Sequence, residues 1–155
     1  MSMDPTMREV DFKRSIKKYF IDNLVTTEEL FVSFDMLYDV PLDGSGNKRN
    51  SWIVFSFENK NLGTVSEQLI RVDLFTRKDA EGDNLSALLD VFLSYIYNEL
   101  STNGYHSIPY YDTSSSPWSL VGGIVPFVKQ ILPEYDAKDK TKIRGIDLLC
   151  KWGGK

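Results

Sequence analysis

Three groups of residues in this 155-residue chain have the types that chemistry needs. The first is Asp43 with Glu58 and Lys60. Metal-dependent nucleases use an Asp and a Glu-x-Lys so that two carboxylates bind Mg2+ and the lysine orients a water. Glu58-Asn59-Lys60 reads equally as the polar end of a hairpin, and Asp43 sits beside Gly44 in turn chemistry. The second is His106, the single histidine, which titrates near neutrality and could serve as a general base. A base of this kind needs a nucleophile held beside it. Ser107 and Ser114 to Ser116 are the candidates, none of them in a recognised elbow, and His106 following a helix stop also reads as a surface residue. The third is Cys150, the single cysteine. It lies between Leu148 and Trp152 on an apolar strand face, the setting of a buried, inert thiol. One His and one Cys exclude a disulfide framework, a zinc finger and any site built on two histidines. Gly122-Gly123 has neither the lysine of a phosphate loop nor dinucleotide spacing, and there is no calcium-loop pattern. The expectation is a protein that is not an enzyme and calls for no cofactor.

The elements that would position these residues follow from periodicity. Phe12, Ile16, Phe20 and Leu24 recur every four residues, so Val10 to Leu24 is predicted as an amphipathic helix with a basic outer face. Leu30, Val32, Phe34, Met36 and Tyr38 then alternate with polar positions, predicting a half-buried strand that Pro41 ends. Asp43 to Asn50 is predicted as a mobile turn. Ser51 to Glu58 and Gln68 to Arg77 are two more strands. Short connections among the three predict an antiparallel meander. Leu85, Leu88, Leu89, Phe92, Ile96 and Leu100 form the stripe of a second helix, capped by Asp83 or Asn84 and stopped at Asn103-Gly104. Tyr105 to Asp112 reads as a short strand, at an edge because of Pro109. Val121 to Leu132 is ambiguous. Its glycine pair and Pro126 weaken a helix, and strand is the reading adopted. Lys142 to Trp152 is a closing strand with Ile146, Leu148, Cys150 and Trp152 on one face. The fold class is therefore α+β, an antiparallel or mixed sheet flanked by two main helices in the order α-β-β-β-α-β-β(β). Residues 1–7 are expected to be a flexible lead and residues 8–155 a single domain.

Composition narrows the partners. Hydrophobic residues make up 42% of the chain, enough for one domain with its own core. Eighteen Lys and Arg against 22 Asp and Glu give a net charge of -4, which disfavours tight general binding to nucleic acid. That charge is segregated. Ile21 to Asn47 carries six acids and no base, whereas Arg8 to Lys18 carries five bases against two acids. Opposite patches of this kind can be solvated faces, or can meet between subunits. No apolar run is long enough to span a membrane, and Met1 to Tyr19 has no signal-peptide core.

The stretch Gln68-Leu69-Ile70-Arg71-Val72-Asp73-Leu74-Phe75-Thr76-Arg77, with the polar turn and leucine-rich helix after it, resembles the centre of the tailed-bacteriophage tail terminator family. By element order the resemblance covers roughly residues 8 to 153. It implies a small α+β virion subunit, assembled in the host cytoplasm into a homo-oligomeric ring, commonly a hexamer. Such a ring caps the tail tube, halts its growth and joins the head-completion or connector protein at the head-proximal end. DNA passes through without specific binding, and no membrane is involved. A different phage neck or head-completion protein is the alternative. Candidate contacts to other subunits or to the tail are Lys13, Lys17, Lys48, Arg49, Tyr110, Tyr111, Trp118, Lys138 and Lys140. Asp35 and Asp39 are candidates for a lumen that repels phosphates.

Overall fold

The computed structural model describes residues 9–37, 39–61, 66–77, 83–99, 107–137 and 140–152. Tyr38, Tyr105, His106 and Lys138 lie outside the described residues.

The first helix, α1 (Glu9–Phe20), buries Phe12, Ile16 and Phe20 completely, as the four-residue spacing predicts. It continues as a π-helical segment, Ile21–Thr27, that buries Leu24. Side chains compete for the backbone there. Asn23 Nδ2 donates to the Tyr19 carbonyl at 2.8 Å and Thr27 Oγ1 to the Asp22 carbonyl at 3.0 Å. Bonds of this kind take acceptors away from the regular ladder and widen the turn. Glu29, at φ 57°, then turns the chain out of the helix.

Among the described residues seven strands form one sheet. They are β1 (Phe31–Ser33), β2 (Ser51–Asn61), β3 (Ser66–Arg77), β4 (Ile108–Asp112), β5 (Ser119–Ile131), β6 (Tyr135–Asp136) and β7 (Thr141–Trp152). The second helix, α2 (Asp83–Tyr97), follows β3. The sheet order is β1-β2-β3-β7-β5-β4, and β6 pairs with β7 beyond the end of β5. Helices and a mixed sheet in this arrangement make the protein α+β, with one more short strand in the last part of the chain than the sequence predicts.

Two expectations change. The antiparallel meander of three strands is only β2 with β3. The first strand runs for three residues, not across the alternation from Leu30 to Tyr38, and lies parallel to β2. It ends in a tight turn in which Ser33 Oγ donates to the Asp35 carbonyl and accepts from the Asp35 N–H. The apolar alternation has another cause: the chain wraps the β2 edge. Phe34 stacks on Phe55 on the helix side, whereas Met36 and Leu37 line a cleft with Trp52 and Val54 on the opposite side. The ambiguous segment is strand, as adopted. Pro126 fits within β5 because it lies past Ile124, the last residue that β4 pairs, so among the described residues the strand there has a neighbour on one side only.

Both helices pack on one face of the sheet. The core joins Phe12, Phe20 and Phe92 to Phe55, Ile70, Leu148 and Trp152. Phe12 stacks on Trp152 with ring centroids 4.0 Å apart. At the β4 edge the helix packs through polar groups. Asp11 Oδ1 accepts from the N–H and the hydroxyl of Thr113, and Ser15 Oγ accepts from the Tyr111 N–H at 2.9 Å. Buried Asp11 and Ser15 thus satisfy backbone that an edge strand would otherwise present to another chain.

Candidate interaction surface

Among the described residues the second face of the sheet carries no helix, and cross-strand register sorts its side chains into rows. One row runs Phe31, Trp52, Phe75, Ile143 across β1, β2, β3 and β7. Trp52 and Phe75 stack with centroids 5.1 Å apart, and the Arg49 guanidinium lies 4.8 Å from the Phe31 ring centre. Met36, Leu37, Asp39 and Val40 form a strap that faces Trp52, Phe75 and Ile143 of this row. Between strap and sheet is a cleft of about 430 Å3, with Asp39 and Asp73 among its walls.

The next rows carry charge. Arg71 Nε donates to Asp147 Oδ1 at 2.8 Å, and Gln130 Nε2 donates to Asp147 Oδ2. Burial works to raise the Asp147 carboxyl, but these two hydrogen bonds outweigh it and hold the group below its ordinary range. Asp73 responds the other way: burial pushes its carboxyl up, and the pull of Arg71 does not compensate. Gly145 lies close against the cluster. A Cβ there would stand 3.1 Å from both Arg71 Nη1 and Leu132 Cδ1 and 3.2 Å from Asp73 Oδ1.

Past the charged rows the face is bare. Leu120, Val125 and Phe127 on β5 are 65%, 37% and 48% exposed. Phe127 faces Leu149 across the pair with β7 and has Lys151 Nζ 5.5 Å above its ring. Lys151 also pairs with Glu67 at 3.4 Å, and Lys129 stands exposed beside Phe127. Large apolar side chains exposed together along one strand make this strip the candidate contact surface. The sequence contains the signal: Val121 to Leu132 is apolar at both parities, more than a strand with one covered face requires.

The residues singled out from the sequence fall in different places. Lys13 and Lys17 lie over aromatic rings, 5.2 Å from the Phe57 centroid and 5.7 Å from that of Phe34. Lys13 also pairs with Glu9. These lysines shield the partly buried Phe57 and Phe34 that pack against the core. Tyr110 is a core residue, 1% exposed, whereas Tyr111 is half-buried with its ring 6.0 Å from that of exposed Trp118. Lys48 bridges Leu42 in a small loop, and Lys140 is exposed at φ 58°. Asp35 and Asp39 are both exposed.

Asp43 holds that loop together. Its carboxylate accepts from the N–H groups of Ser45 and Asn47, both at 2.9 Å, and these bonds hold its carboxyl below the ordinary range. Gly46 supplies the positive φ the turn requires. Glu58 stands seven residues into β2, about 23 Å along the strand from its start at Ser51, and acts electrostatically on Arg71 and Asp73 rather than on Asp43. Lys60 lies two residues further on in β2. Among the described residues no three His, Cys, Asp or Glu side chains gather as a metal site. Cys150 is fully buried, and burial pushes its thiol far above the ordinary range. Among the described residues no helix is long and apolar enough to cross a membrane.

No protein-family model and no curated protein matches this chain. Solved structures do match. One covers 96% of this chain and 98% of its own length with a TM-score of 0.59 at 9% identity, and its name describes no function. The fold is therefore shared with a protein of nearly the same extent and almost unrelated sequence.

Proposed function

We propose that the chain is a virion structural protein of the tail-terminator type. It closes into a ring, a hexamer on the family pattern, caps the tail tube, stops its elongation and offers the surface that meets the head-completion protein. The strand and helix that carry the family resemblance correspond to β3 and α2. The observation that carries the proposal is the bare apolar half of the helix-free sheet face, on a chain whose core is already closed by its own two helices. Association, rather than chemistry on a small molecule, is what such a surface does.

The test is to mix the purified chain with purified tail tubes and image them by negative stain, with sedimentation of the free protein in parallel. Rings seated at one tube end are expected. Binding to the head connector without binding to tubes would move the protein to the head-completion class, and Mg2+-dependent DNA cleavage by a monomer would overturn the proposal.

A further inference from the structure

We infer that neighbouring subunits meet asymmetrically, the bare strip on β5 of one copy seating on the strap of the next copy. The inference rests on the ring reading above and names its interface. The strip presents Leu120, Val125 and Phe127 with Lys129 and Lys151 beside them. The strap presents Met36, 73% exposed, with exposed Asp35 just before it and exposed Asp39 three residues after it. One patch is apolar with basic neighbours and the other is apolar with acidic neighbours, in a stretch from Ile21 to Asn47 that has no base at all. The cleft under the strap gives an aromatic side chain such as Phe127 somewhere to enter.

Charge decides between the possible pairings. Strip against strip would bring Lys129 and Lys151 towards their own copies, and strap against strap would do the same with Asp35 and Asp39. Like-charge contacts of that kind are costly, whereas strip against strap is complementary. A contact between two different patches is heterologous, the type that generates rings when the rotation closes. The inference moves Asp35 and Asp39 from a lumen to a subunit contact.

The test is sedimentation velocity over a concentration series, with circular dichroism as the check on folding. Phe127→Asp disables the strip, and Leu120→Asp is a second strip variant at a more exposed position. The double variant Asp35→Lys, Asp39→Lys disables the strap. Each should weaken self-association by roughly 30-fold or more, the size of a hot-spot loss. Mixed one to one, Phe127→Asp and the strap variant should form a dimer and nothing larger, because each keeps one working patch. Rings that persist in both strip variants and in the strap variant overturn this interface and leave the ring reading standing. So does a mixture that stays monomeric. A wild-type chain that is monomeric at every concentration overturns the ring reading and the interface together. Strap-variant rings that assemble normally but fail to deliver genomes overturn the interface and return the two carboxylates to the lumen.

Discussion

The helix-free face of the sheet has two halves that differ in what lies over them. At the end where β2 begins, Met36, Leu37, Asp39 and Val40 line a cleft against the strands, and Trp52, Val54 and Ile143 are 4%, 6% and 7% exposed. At the other end, Val125 and Phe127 are of the same chemical kind and stand open to solvent. The rows of Arg71, Asp73, Asp147 and Gln130 separate the two. Burial here is not set by how apolar a side chain is, since a stacked indole and an exposed phenyl share one surface. The covered half contributes to the stability of the monomer. The bare half contributes little until something covers it.

That contrast is open to measurement by urea unfolding of the monomeric chain. Trp52→Ala should cost about 3–5 kcal/mol, the range for removing a buried aromatic, and Phe127→Ala less than about 1 kcal/mol. Equal costs would erase the distinction between the halves. The charged boundary should respond next. Asp147→Ala leaves Arg71 and Gln130 without their acceptor, at about 2–3 kcal/mol near neutral pH. The folded carboxyl titrates below its ordinary value. Its contribution is therefore present above that ordinary value and is lost as pH falls through the folded pKa, so the difference between wild type and variant should narrow on acidification. The smallest effect belongs to Asp73. Its folded carboxyl titrates above the ordinary value, so the folded state binds the proton more tightly and the chain loses stability as pH rises through that window. Asp73→Asn should be more stable than wild type at pH 7, by less than about 1 kcal/mol for a half-buried group, and equal to it in acid. A variant less stable at neutral pH would mean the carboxylate is needed ionised at the boundary.

How much was legible follows from the range of the interactions involved. The stripes of α1 and α2 and the buried face of β7 repeat at the period of their own element, and Phe12, Ile16, Leu85, Phe92, Ile146 and Cys150 are all fully buried. The strand expected from Leu30 to Tyr38 misled because alternation also arises where a chain folds round a sheet edge and packs against both sides of one strand. Asp43 carried the type and spacing for metal chemistry, yet its oxygen is committed to two N–H groups within four residues. Asp11 and Ser15 are polar yet buried, and nothing local signals it, because their partners, Thr113 and Tyr111, lie about a hundred positions further along the chain.

By itself the sequence determined the α+β class, the two helices and the inward faces of the main strands, since periods of 3.6 and 2 state locally which side chains must leave water. It also determined the segregation of charge between the acidic stretch from Ile21 to Asn47 and the basic segments. Only the tertiary structure decided which apolar residues stay uncovered. Tyr110 and Trp118 are eight positions apart, of similar chemistry, and 1% and 40% exposed. Exposure is a property of neighbours, and the neighbours here are set by strand order and by where Met36, Leu37, Asp39 and Val40 meet the sheet.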